Sequence, residues 1–168
     1  MTIIIGIGDY AISGCQADSI KTFALGSCVA LIFHAPLRKV LAMAHIALPD
    51  SAVDRQKGLV SPGYFADTAV AALLAELWRD YQCRPEELAV KLYGGSRIPY
   101  DADLFNVGAR NIIAVQSALA EYQLSLVESD VGGVCSRTVE VSVATGAAQL
   151  VRRQWVAVNA DLFSKTVG

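Results

Sequence analysis

The chain carries little charge of either sign and no basic run: 14 Lys and Arg stand against 16 Asp and Glu in 168 residues, a net of −2. A nucleic-acid backbone is held by clustered cations, so nucleic acid is not expected as a partner. Cysteine is sparse and dispersed. Cys15, Cys28, Cys83 and Cys135 form no Cys-x-x-Cys pair, which leaves a zinc site without support, and no metal or cofactor is expected. The glycine pairs Gly94-Gly95 and Gly132-Gly133 lack the downstream Gly-Lys-Ser or Gly-Lys-Thr of a phosphate loop. The longest uncharged stretch, Thr22 to Leu37, is interrupted by Gly26, Ser27, His34 and Pro36. It falls short of the roughly 20 apolar residues of a membrane helix, so no membrane insertion is expected. Residues Met1 to Asp9 have neither the basic start nor the apolar core of a secretory signal. A cytoplasmic protein with reduced thiols is the resulting expectation.

What the chain does have is apolar content, 54% hydrophobic against 18% charged, enough for a packed core at this length. Residues 1–168 show no repeat, interdomain linker or low-complexity segment, which predicts one domain. Short apolar runs predict strands at Thr2 to Gly6, Lys21 to Leu25, Cys28 to Phe33 and Lys39 to Ala47. Their continuity, as in Val29-Ala-Leu-Ile-Phe33, fits strands covered on both faces. A loop through Pro49, Asp54 and Gly58 leads to Ser61-Pro62, where Ser suits an N-cap and Pro a first helical turn. Val70, Leu73, Leu74, Leu77, Trp78 and Tyr81 then mark an amphipathic helix stopped by Pro85. A strand at Leu88 to Tyr93 and a second helix beyond Asn106, striped by Ile112, Val115, Leu119 and Tyr122, follow. Leu124 to Glu128, Arg137 to Ala144 and Ala147 to Arg152 predict the final strands, with a turn at Thr145-Gly146. The order predicts an α/β fold of packed β-sheet layers with flanking helices.

Cys28 ends the run Thr22-Phe-Ala-Leu-Gly-Ser-Cys28, and His45 follows in Ala42-Met-Ala-His-Ile-Ala-Leu48. A thiol, an imidazole and a hydroxyl are the parts of a cysteine nucleophile. The thiolate attacks, the imidazole takes and returns a proton, and a third group holds the ring in the useful tautomer. Each residue also has a plain structural role: a buried Cys is a small hydrophobe, a buried His bonds a carbonyl, and Thr suits a strand. Gly26-Ser27 breaks the strand pattern just before the thiol, an opening through which substrate could approach and backbone N–H groups could face an oxyanion. His34 competes as the base, but six extended residues separate it from Cys28 by about 20 Å, so His45 is preferred.

Thr22 to Ala30 and Ala42 to Ser51 resemble the CheD family of chemoreceptor glutamine deamidases. Tyr64-Phe-Ala-Asp-Thr68, Gly94-Gly95, Asn106-Val-Gly-Ala-Arg-Asn111, Asp130-Val-Gly-Gly133, Arg137-Thr138 and Thr145-Gly146 extend the resemblance across residues 2 to 153. It implies a fold similar to the catalytic domain of the cytotoxic necrotizing toxins. It also implies Cys28 as nucleophile, His45 as general base and Thr22 as the residue orienting the imidazole. Ser27 and Gly26 are the oxyanion or substrate-positioning candidates. The implied substrate is a glutamine of the chemoreceptor cytoplasmic helical bundle, and a CheC-type phosphatase is the implied second partner. The pairs Gly94-Gly95 and Gly132-Gly133 are docking candidates, although paired glycines also serve as plain turns. Ser96 to Leu104 resembles the family less than the motifs around it, and the tail from Gln154 to Gly168 matches no family feature. Two other functions remain open: a non-catalytic module regulating the phosphatase, and transglutamination through the same thioester.

Overall fold

The computed structural model describes residues 1–98 and 105–155. Most of the loop from Ser96 to Leu104, and all of the tail beyond Trp155, lie outside the described residues. Two sheets and a helical layer stack against one another. Strands β1 (Thr2–Ile4), β3 (Ser19–Leu25), β8 (Cys135–Ser142) and β9 (Ala148–Gln154) form one sheet in the order β1-β3-β8-β9. The other runs β2-β5-β4-β6-β7, from β2 (Tyr10–Ser13), β4 (Val29–Ala35), β5 (Val40–Ile46), β6 (Ala89–Gly94) and β7 (Leu126–Val131). The α/β architecture expected from the sequence is the one observed.

Every residue of β4 and β5 is buried, because these central strands are covered on both faces. Val29, Leu31, Phe33, Ala42, Ala44 and Ile46 pack with Leu73, Leu77, Val115 and Leu119 of helices α2 (Ala66–Tyr81) and α3 (Val107–Glu121). The alternate residues Ala30, Ile32, Leu41 and Met43 meet Ile20, Leu25, Val139 and Val141 of the facing sheet. Two hydrophobic layers thus share one pair of strands, and side-chain alternation assigns each residue to a layer.

The structure departs from the predicted elements in four places. Tyr10–Ser13 pairs with β5 as an added strand. The expected loop contains a short helix, α1 (Arg55–Val60), capped by the Asp54 carboxylate, which accepts from the Lys57 N–H at 2.9 Å. Ser61-Pro62 opens only one 3₁₀ turn, Pro62–Tyr64, with no bond from the Ser61 side chain, and α2 starts at Ala66. Trp78, assigned to the apolar stripe of that helix, is 51% exposed: α2 buries a narrower face than its composition suggests.

Candidate active site

The site lies where β3 crosses into β4. Thr22 pairs with Val139 and Leu25 with Arg137, so three steps along β3 match two along β8. Ala24 takes up the extra residue with φ +53. This bulge turns Phe23 and Ala24 to solvent and returns Leu25 to the core, a common device for re-aiming side chains near a site. Thr22 remains buried between the sheets. The chain then reverses through the half-buried Gly26-Ser27-Cys28 into β4, and the indole of Trp155 lies over Gly26.

Thr22 has one hydroxyl proton and two neighbours. Its Oγ1 lies 3.1 Å from the Ile5 carbonyl oxygen, which can only accept, and 2.7 Å from His45 Nδ1. The hydroxyl therefore donates to Ile5 and accepts from Nδ1–H. This fixes the tautomer: Nδ1 carries the proton and Nε2 presents a lone pair. His45 Nε2 is buried and has no hydrogen-bond partner among the described residues. His45 faces Ala30 across the β4–β5 ladder. Cys28, two residues before Ala30, packs on the same inter-sheet core. Cys28 and His45 thus stand on diagonal positions at one end of adjacent strands, a spacing of about 7–8 Å between backbones.

Burial sets the resting protonation. His45 is drawn down from 6.5 to about 4 by desolvation, against a smaller opposing pull from the Asp9 carboxylate. Desolvation pushes the Cys28 thiol up, partly offset by its own backbone N–H. Both shifts favour a neutral thiol beside a neutral imidazole at rest.

Three successive carbonyls of the Gly26-Ser27-Cys28 turn are tied down. Gly26 O accepts from the Ser96 N–H at 2.8 Å, and Cys28 O from the Gly95 N–H at 2.8 Å. Ser27 O accepts from Asn111 Nδ2 at 2.9 Å. Among the described residues, neither the Ser27 nor the Cys28 N–H is engaged in a hydrogen bond with another backbone group.

A family model described as CheD chemotactic sensory transduction matches residues 47–152. The chain is 41% identical to the probable chemoreceptor glutamine deamidase CheD of Syntrophotalea carbinolica, over 91% of this chain and 97% of that protein. The chain belongs to the CheD family. It is also 40% identical to the chemoreceptor glutamine deamidase CheD of Thermotoga maritima, over 91% of this chain and 92% of that one. Among solved structures, the hypothetical protein YfiH of Bacillus licheniformis superposes with a TM-score of 0.47 at 11% identity, covering 73% of this chain and 50% of that chain.

In this CheD-family chain, Thr22 and His45 meet through a hydrogen bond, and Cys28 borders the inter-sheet core at the start of the neighbouring strand. His34 stands near the far end of β4, opposite Leu41, with Nε2 3.2 Å from the Val143 carbonyl; it is remote from the thiol, as its spacing predicts. The glycine pairs divide. Gly94 and Gly95 are buried and offer no exposed docking surface. A Cβ on Gly94 would lie 2.3 Å from Cys28 O, so this pair gives the Cys28 turn its close backbone support. Gly132 is half-buried and Gly133 exposed, beside the buried Arg137 and its ion pair with Asp130 at 2.7 Å. Among the described residues no three His, Cys, Asp or Glu side chains gather as metal ligands would, and no helix is long and apolar enough to cross a membrane.

Asn111 is the site residue that the sequence reading passed over. It lies within the Asn106–Asn111 motif, whose neighbouring apolar positions alone predict the buried face of the helix. The available signal was its spacing: Asn111, Val115 and Leu119 recur every four residues on the buried face of α3, and a carboxamide in such a stripe needs polar partners.

Proposed function

We propose that this chain is a protein-glutamine deamidase that hydrolyses glutamine side-chain amides of chemoreceptors through a Cys28 thioester. The observation that carries the reading is the Thr22–His45 pair with its buried, unpartnered Nε2, on the strand next to the one that the half-exposed Cys28 opens. The names of the relatives supply the substrate class.

In this mechanism the Cys28 thiol passes its proton to His45 Nε2 while sulfur attacks the amide carbon. The outward Ser27 and Cys28 N–H groups receive the oxyanion. His45 returns the proton to the departing nitrogen, which leaves as ammonia, and the acyl group stays on sulfur. Water enters, His45 takes its proton, and the thioester collapses to glutamate, restoring thiol and neutral imidazole. Throughout, Thr22 holds the Nδ1 proton and supports the imidazolium as it forms. Each turnover replaces a neutral amide on the receptor's cytoplasmic bundle by a carboxylate. The reaction belongs in the cytoplasm, where thiols stay reduced. A CheC-type phosphatase is the second partner in this reading, with the Gly132-Gly133 edge as its contact.

Receptor cytoplasmic fragments incubated with the protein should gain the mass of an NH₂-to-OH exchange at specific Gln residues, and Cys28→Ala should abolish the gain. No gain with several cognate receptors, together with phosphatase stimulation that survives Cys28→Ala, would instead identify a binding module. Incorporation of an added primary amine would identify a transglutaminase.

A further inference from the structure

The three tied carbonyls carry one inference more, which rests on the deamidase reading. In a trans peptide the C=O and the following N–H point in opposite directions, and this chain has no cis peptide among its described residues. Holding Ser27 O inward therefore turns the Cys28 N–H outward. Holding Gly26 O inward does the same for the Ser27 N–H. Two of the three ties come from backbone N–H groups of Gly95 and Ser96. The tie that fixes the Cys28 N–H comes from the side chain of Asn111.

Asn111 is fully buried. Its Nδ2 donates to both Ser27 O at 2.9 Å and Ala47 O at 3.0 Å. Both partners are acceptors, so the orientation of the carboxamide is determined. Ala47 directly follows β5 and lies two residues beyond His45, while Ser27 lies two residues before Val29, where the regular β4–β5 register ends with the Val29–Ile46 pair. The carboxamide thus bridges the two strands just past their last rung. One side chain joins the turn carrying the nucleophile to the strand carrying the base. It does so at a cost, since Asn111 Oδ1 is buried without a partner among the described residues, an arrangement that packing alone disfavours. A residue selected only for packing at this position of α3 would be apolar.

We infer that Asn111 is a positioning residue for the oxyanion site: it aims the Cys28 N–H at the developing oxyanion and locks the Cys28 turn to the His45 strand. The assignment separates two reactions of the same thiol. Amide hydrolysis builds charge on oxygen and needs the aimed N–H. Alkylation by iodoacetamide is displacement at a saturated carbon and builds no oxyanion.

The test compares Asn111→Ala and Asn111→Asp with the unmodified protein. Asp keeps the shape but cannot supply both bonds, since even a neutral carboxyl carries a single O–H. Loss of an aimed donor should lower kcat for receptor Gln hydrolysis at least about tenfold, with KM nearly unchanged. Alkylation of Cys28 at alkaline pH, followed by peptide mass mapping, should keep its rate. Unchanged kcat would overturn the assignment, and so would an equal fall in both reactions, which is what simple collapse of the turn produces. Hydrogen exchange on the unmodified protein decides the point if the variants do not fold. The Gly95 and Ser96 N–H groups should be strongly protected, and those of Ser27 and Cys28 should exchange freely. Protection of the Cys28 N–H equal to that of Gly95 would refute an outward donor. An unmodified protein that leaves receptor Gln intact would count against the deamidase reading, and the exchange pattern would still decide the orientation of the turn.

Discussion

Removing the Thr22 hydroxyl tests the tautomer argument directly. Thr22→Val preserves shape but leaves two buried groups unpaired, the Ile5 carbonyl and the His45 Nδ1–H. Each buried unpaired group costs about 1–3 kcal/mol, so the variant should lose about 2–6 kcal/mol of stability, read as a lower urea midpoint. The same loss acts on the ring. Without an acceptor at Nδ1, the proton can occupy Nε2, and the base is then blocked. If the hydroxyl favours the productive tautomer by about 1.4–2.8 kcal/mol, its loss lowers kcat about 10- to 100-fold. Thr22 is fully buried and cannot touch the receptor, so KM should hold. Thr22→Ser is the control, because it restores the hydroxyl while sacrificing only a methyl group, and it should recover most of kcat. The assay is Gln-to-Glu conversion in a receptor fragment, measured at several substrate concentrations below the unfolding midpoint of each variant. A Val variant that is less stable but equally fast would refute the orienting role. A Ser variant as slow as Val would trace the effect to packing.

Acid should destabilise the fold through His45, whose native value of about 4 lies below the ordinary 6.5. Between those values the unfolded chain takes up a proton that the native site refuses, so stability falls as pH drops through this window, by about 3 kcal/mol at most, and no further below it. Urea unfolding at several pH values should show this loss in the unmodified protein and not in His45→Gln; parallel curves for the two would dismiss it. At Gly94, φ is +106 and an added Cβ would meet Cys28 O at 2.3 Å, whereas at Gly133 φ is +72 and the nearest atom lies 4.0 Å away. Gly94→Ala should therefore cost about 3 kcal/mol or more and slow hydrolysis by displacing the nucleophile turn, while Gly133→Ala should cost about 1 kcal/mol of backbone strain alone. Equal melting temperatures for the two variants would remove Gly94 as a support of the turn.

The elements that could be read in advance are those whose signal is local. Val29 to Ala35 and Val40 to Ile46 are apolar without a break, and both are buried along their whole length. α1 was missed because it buries only Gly58 and so leaves no apolar stripe. Trp78 was misplaced because a periodic pattern does not say how wide a face the neighbouring layer covers.

Residue types and spacing alone nominated Cys28, His45 and Thr22 and favoured His45 over His34, because an extended strand carries a residue six positions away out of reach of its thiol. Only the tertiary structure set the register that pairs Ala30 with His45 and the bulge that keeps Thr22 inside. It also placed the Ile5 carbonyl that directs the Thr22 proton and the Asn111 carboxamide that reaches Ser27 from another layer. A one-residue slip between β4 and β5 would turn His45 toward the helices and leave the thiol without a base. The sequence names the groups because chemistry depends on residue type; packing between layers distant in sequence decides which lone pair faces which proton.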